Sequence, residues 1–319
     1  MNPGSRRLVD WLMLLACNLM WASQFVMVKL VQEQMGPLFA VTFPIALATV
    51  MLIVLVWREP KVKATRQDIR DFVLLGLAGQ LVAQLFITWG VRYAPASNAA
   101  LLALIMPVST AVMAHFLLGE QMNRIRWISF ALALLGVLAC SGVDWKSLDF
   151  GRSYLLGNSL IFLSVLGSAF YNAYSKKVLE RHSPLQVLLY SYYALLVVLL
   201  PITISAEPSG FTNLPHYSGT VWIGLAILAI FQYFLSMVIF LNVLTRLQAT
   251  QAALSNYLIP FFGLLIAAIV LHERLTGFMI AGGLLALAST LLITVWDTAS
   301  RPPAQDILQD QTSLPSTRS

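Results

Sequence analysis

The chain is 319 residues long, 58% apolar and only 11% charged, with a formal net charge of +6. Soluble domains carry about 25% charged residues, whereas here the apolar residues come in runs of about 20, the length a helix needs to cross the hydrocarbon core, so a soluble enzyme is excluded. The basic residues sit in short connections between these runs, where they report membrane orientation and not a nucleic-acid partner.

Ten membrane-spanning helices are predicted, over residues 9–31, 37–57, 71–92, 97–118, 125–142, 154–177, 185–205, 219–242, 248–271 and 277–296. Residues 1–8 read as a short terminus before the first span. Arg6, Arg7 and the run Leu14-Leu15-Ala16-Cys17 resemble a lipoprotein signal. Asp10 interrupts that run and the apolar stretch continues past Cys17, so a retained first helix is predicted. The first span carries Asn18, Trp21 and Gln24 and ends near Lys29; the third carries Gln80, Gln84 and Thr88. The fourth has Pro107 near its middle, which frees the carbonyl of Ala103, and is followed by Glu120. The sixth carries Ser164, Ser168, Tyr171, Asn172 and Ser175 and ends at Lys176, and the eighth carries Gln232, Tyr233 and Ser236. The ninth carries Asn256 and Tyr257 ahead of Pro260, with Glu273 beyond its end. Residues 297–319 are proline-bearing and polar and read as a disordered tail.

Polar stripes in a bilayer avoid lipid, because an unsatisfied amide in hydrocarbon costs several kcal/mol. They either hydrogen-bond between helices or line a cavity. For the glutamines and asparagines as a set, with Trp21, Tyr171, Tyr233 and Tyr257 beside them, the cavity reading is favoured, and the two mid-span prolines fit kinked helices around it. No Asp or Glu falls in the middle of a predicted span, which argues against a buried carboxylate as a proton-coupling group. His115 reads as an interfacial polar group before a proton relay. Cys17 and Cys140 lie within spans, in no disulfide or metal-ligand pattern. No P-loop and no HExxH signature occurs, so no cofactor, metal or catalytic residue is predicted.

The chain repeats itself. At an offset of 147, Ala22, Lys29, Val31, Glu33, Pro37 and Leu38 meet Ala169, Lys176, Val178, Glu180, Pro184 and Leu185. At an offset of 153, Ala96, Ala99, Ala100, Leu101, Pro107, Ala114, Leu118 and Glu120 meet Ala249, Ala252, Ala253, Leu254, Pro260, Ala267, Leu271 and Glu273. Each copy, 9–142 and 154–296, holds five predicted spans, and an odd number turns the second copy upside down. The fold class read from this is all-α integral membrane, ten helices as two inverted five-helix repeats, an arrangement typical of transporters. With the N-terminus inside, fifteen Lys and Arg lie on the inner side and five on the outer, which places both termini in the cytoplasm.

Trp21-Ala22-Ser23-Gln24-Phe25, the lysine at 29, Pro37 and Pro184 after the first helix of each copy, and the small residues leading through Pro107 to Gly119-Glu120 resemble the drug/metabolite transporter superfamily, in its ten-helix EamA-type branch. The second copy ends in His272-Glu273 where the pattern has Gly-Glu. The resemblance implies efflux of amino acids or related metabolites across the cytoplasmic membrane by alternating access, with a small-molecule substrate, the lipid bilayer as surroundings and no identifiable protein partner. Exchange or facilitated transport fits the missing carboxylate better than proton drive. Two alternatives stay open: a membrane-embedded transferase-type enzyme, which needs a His/Asp or paired-acid constellation at one face, and a non-transporting scaffold.

Four charges at span ends suggest gates. Inversion brings Lys29 and Glu273 to one face and Lys176 and Glu120 to the other, so a lysine–glutamate contact across the repeats could close either face. The alternative is that each charge anchors its own helix.

Overall fold

The computed structural model describes residues 3–60, 64–93, 105–124, 127–132 and 152–259, with further positions at 102, 135, 262, 266, 281, 284, 285 and 288. Among these residues there is no strand. Cys140, Pro260, Glu273, the tenth span apart from a few positions and the tail at 297–319 lie outside the described residues, as does the side chain of Lys29.

Helix α1 runs Pro3–Val31, starting six residues before the predicted span, and α2 runs Pro37–Val56. The third span is α3, Arg66–Leu74, a π-helical segment, Leu75–Leu81, and α4, Val82–Tyr93. Then come α5, Met106–Leu118, α6, Arg152–Val178, and α7, Pro184–Ala206. A short α8, Pro208–Thr212, leads to α9, Gly219–Ile227, a second π-helical segment, Leu228–Leu235, and α10, Ser236–Leu244; α11 is Ala249–Ser255. Five of these stretches are long and apolar enough to cross a membrane: Pro37–Val56, Arg66–Gly90, Leu155–Val178, Pro184–Ala206 and Gly219–Leu244.

The helix ends follow local chemistry. Pro37 and Pro184 occupy the first turns of α2 and α7, where the missing N–H is no loss. Reciprocal side-chain caps start α3, through Thr65 and Asp68, and α7, through Ser183 and Gln186. Gly119 stops α5 at φ 67°, a left-handed conformation that glycine adopts without strain. The sequence puts Pro107 near the middle of a span. In the structure Ile105 is a turn residue and Pro107 sits in the first turn of α5, where its missing N–H is no loss.

Helices α2 and α7 lie side by side, tied by a 2.7 Å hydrogen bond between Thr42 and Thr203. Helix α1 packs along the α9–α10 span, and α6 packs along α4 and α5; α11 rests on α5 and α6. One side of α7 is fully buried through Leu188, Tyr192, Leu195 and Leu199, while Val197, Ile202 and Ile204 face outward. A helix apolar on both sides belongs in a bilayer.

Glycines set the closest approaches. A Cβ on Gly76 would come within 2.4 Å of the Ser191 carbonyl, and one on Gly90 within 2.5 Å of Ile161. These contacts press the third span against α7 and α6 and so fix the inward-facing polar residues of that span.

Candidate functional site

The glutamines predicted from three separate spans meet. Gln24, half-buried on α1, accepts a hydrogen bond from Gln232 at 2.9 Å and donates to Gln84 at 3.2 Å, so one side chain bridges the third and eighth spans. Gln232 lies in the second π-helical segment and Gln80 in the first. A π turn offsets its side chains from the regular helical stripe and leaves backbone carbonyls to be satisfied otherwise. Here Ser236 donates to the Gln232 carbonyl at 2.6 Å, and Tyr192 of α7 donates to the Tyr233 carbonyl at 2.7 Å.

Around this bridge lie buried polar atoms without a hydrogen-bond partner among the described residues. The Tyr233 hydroxyl faces Gln24, and the Tyr171 hydroxyl faces Ser191 and Gln80, in each case without hydrogen-bond geometry. The Gln232 Oε1 is likewise unpaired. About 9 Å further along α1, at the 1.5 Å rise of a helix, a second polar layer begins at Asn18. Its amide donates to Ser255 at 2.9 Å and ties α1 to α11. Helix α11 ends there: Asn256 is its C-cap, Asn256 and Tyr257 form a turn, and both amide atoms of Asn256 and the Tyr257 hydroxyl are buried and unpaired among the described residues. Thr110 of α5 is buried and unpaired in the same way. Trp21 packs edge-on against Phe240 at 5.2 Å, and Asn172 is buried on α6; neither is bonded to the glutamine bridge.

The predicted stripe residues thus fall into one group of Gln24, Gln80, Gln84, Tyr171, Gln232 and Tyr233 and a second of Asn256 and Tyr257. An unpaired buried polar group costs about 1–3 kcal/mol. Several of them together, neutral amides and phenols, leave hydrogen-bonding capacity unused inside the bundle.

The charged residues behave differently. Lys176 donates to the carbonyls of Leu244 and Leu247 at 2.8 and 2.5 Å, the end of α10 and the turn after it. Glu120 accepts from the backbone N–H of Ala249 and Thr250 at 2.7 and 3.0 Å and from the Thr250 hydroxyl at 2.6 Å, at the start of α11. Between them Arg246 pairs with the buried Asp10 of α1 at 2.6 Å. The turn joining α10 to α11 is therefore held by groups from three other segments.

Sequence reasoning passed over two further glutamates. Glu207, after α7, caps the first turn of α2 through Leu38 and Phe39 at 3.2 and 2.9 Å. Glu59, after α2, accepts from the Ser183 hydroxyl that caps α7, at 2.5 Å. The only signal was their matching place, three and one residues beyond the two central helices.

At the end of the bundle where α1 begins, Asp68 and Asp71 of α3 pair with Arg181 at 2.7 and 2.5 Å, and His182 lies 2.9 Å from Asp68. The sequence showed no such His/Asp grouping, because Asp68 and Asp71 are some 110 positions from Arg181.

The profile of the EamA-like transporter family matches residues 9–142 and again residues 155–295. A Streptantibioticus cattleyicolor protein named "Probable terminal-alkyne amino-acid exporter" is 27% identical over 86% of this chain and 89% of its own length. A Salmonella typhimurium protein named "Probable amino-acid metabolite efflux pump" is 27% identical over 93% of this chain and 98% of its own. A solved crystal structure covers 92% of this chain and 99% of its own at a TM-score of 0.75 and 16% identity, a likeness of fold alone.

Proposed function

This chain belongs to the EamA-like transporter family, and from that premise we propose that it exports amino acids or closely related zwitterionic metabolites across the cytoplasmic membrane by alternating access. The chain is a multi-pass membrane protein, and two of its full-length relatives are named for amino-acid or amino-acid metabolite export. The observation that carries the reading is the bridge from Gln24 to Gln84 and Gln232, with unpaired Tyr171 and Tyr233 beside it and unpaired Asn256 and Tyr257 in the next polar layer. Neutral donors and acceptors without a fixed charge suit a solute whose own charges cancel.

The proposal includes ten helices in two inverted repeats. Its support is a set of equivalent contacts. The Ser164 hydroxyl donates to the Ala83 carbonyl at 2.6 Å, and the Cys17 thiol to the Ser236 carbonyl at 3.3 Å. The repeat offsets of 147 and 153 relate Cys17 to Ser164 and Ala83 to Ser236. The offset of 153 also carries the π-helical segment Leu75–Leu81 onto residues within Leu228–Leu235. Glu59 and Glu207 exchange roles between α2 and α7 in the same manner.

An enzyme reading draws on Asp68, Asp71 and His182. Their carboxylates are already engaged: Asp68 by Arg181, His182 and Thr65, and Asp71 by Arg181 and Tyr174. These carboxylates clamp α3 to the α6–α7 turn, a structural use that favours the transporter reading.

The test is counterflow in proteoliposomes over a mixture of amino acids. Accumulation of at least one labelled amino acid above protein-free liposomes is the expected result; no counterflow of any amino acid overturns the substrate class. The orientation is tested separately. A C-terminal alkaline phosphatase fusion, active only outside the cytoplasm, is expected to be inactive, as the fifteen-to-five division of basic residues requires. An active fusion would reverse the assignment of the two faces.

A further inference from the structure

At the end of the bundle opposite the start of α1, an open cavity of about 460 Å³ lies between the α1–α2 turn, the end of α4 and the α7–α9 connection. Small-molecule sites run to about 300–1,000 Å³, so the space holds an amino acid. Its lining includes Glu33, from the α1–α2 turn, and Arg92, from the end of α4. Both are exposed, and neither forms an ion pair or hydrogen bond among the described residues.

That sets this pair against its surroundings. Glu207 also approaches the cavity, at Gly36, but both its oxygens are committed to the Leu38 and Phe39 amides. Its charge is matched by the N-terminus of α2. Arg92 and Glu33 remain as one cation and one anion on the wall of a single cavity, too far apart to pair with each other within 4.0 Å.

The rest of the wall is fixed. The Tyr217 hydroxyl donates to the Gly210 carbonyl at 3.1 Å, and Phe211 packs edge-on to Phe39 at 4.8 Å. A Cβ on Gly210 would come within 2.4 Å of Phe39, so only glycine lets α8 lie this close to α2. The cavity therefore has a rigid polar floor and an aromatic edge at Tyr217.

We propose that this cavity is a second binding site, a vestibule that takes the zwitterionic head of an amino acid, its carboxylate on Arg92 and its ammonium on Glu33. A guanidinium donates paired N–H bonds to a carboxylate, and a carboxylate accepts N–H bonds from an ammonium, so the two ends of one small solute satisfy both walls. The assignment rests on the amino-acid reading given above, and on its orientation this is the outer face.

Right-side-out membrane vesicles holding the full chain, loaded with labelled amino acids, test it. Efflux is followed while three outer probes are titrated: an unlabelled amino-acid mixture, the corresponding amides, which lack the carboxylate, and the N-acetyl amino acids, which lack the ammonium. With the wild type, only the intact amino acids are expected to accelerate efflux at low concentration. Arg92→Gln and Glu33→Gln are each expected to raise the half-maximal concentration about tenfold, the loss of one charge-assisted contact. In Arg92→Gln the amides are expected to fall within threefold of the intact amino acids, because the group they lack no longer has a partner. Unchanged half-maximal concentrations in both variants, with efflux present, overturn the vestibule and leave the transport reading standing. Absence of any amino-acid efflux from wild-type vesicles overturns both.

Discussion

Replacing Gln24 with leucine is expected to lower the transport rate about 100-fold, the combined loss of two hydrogen bonds at the upper end of their usual worth. The side chain is nearly the same size, so packing survives. What changes is that Gln84 and Gln232 each lose their partner across α1. The third and eighth spans are then no longer joined through a group that a solute can exchange with. In the proposed transport cycle these bonds break and remake, as the solute's carboxylate or ammonium group competes for the same amide atoms. Gln24→Asn keeps the amide but withdraws it by one methylene, and is expected to retain more activity than Gln24→Leu. The measurement is counterflow in proteoliposomes at equal protein incorporation. A leucine variant within twofold of wild type would make the bridge a packing contact and move the solute site elsewhere.

That these glutamines turn away from lipid was readable in the sequence, because an amide in the middle of an apolar run has few places to go. The favoured reading put them on a cavity, and the structure bonds three of them to one another. Gln24, Gln84 and Gln232 stood on three different predicted spans, and burial cost alone required them to find one another or a cavity. The five long spans were readable for the same reason, from run length. The π-helical segments were not, since their residues, Leu-Gly-Leu-Ala-Gly-Gln-Leu in the first, carry no turn signal. They arise from tertiary packing: the first lies against α6 and α7, the second against α1 and α2. Tyr192 escaped notice because its role is to satisfy a carbonyl that only the π turn exposes. Glu59, Glu207, Asp68 and Asp71 escaped because residues near a span end read as solvated loop, whereas the structure folds them back onto helix starts and onto Arg181. Composition places Pro107 within an apolar run, and the structure puts it in the first turn of α5.

Glu120 and Lys176 lead to the second large effect. A direct ion pair between them predicts that exchanging the two charges restores function. The observed contacts predict the reverse. Lys176 sits on carbonyls at the end of α10, the negative end of a helix, and Glu120 on amides at the start of α11, the positive end. Exchange puts a carboxylate against carbonyls and an ammonium against N–H groups, two repulsive contacts where there were two attractive ones. Glu120→Ala is expected to destabilise the protein by about 2–5 kcal/mol, because it strands the Ala249 and Thr250 amides. Lys176→Met, which leaves two carbonyls with milder needs, is expected to cost less. The double exchange Lys176→Glu with Glu120→Lys is expected to transport no better than either single variant. Thermal unfolding in detergent separates loss of folding from loss of transport, and Arg246→Gln, which removes only the contact to Asp10, serves as the graded comparison on the same turn. If the double exchange regains half of wild-type transport, the direct pair closes this face. If it regains none, the α10–α11 turn is the closing element, and the two charges act on the face through the backbone they hold.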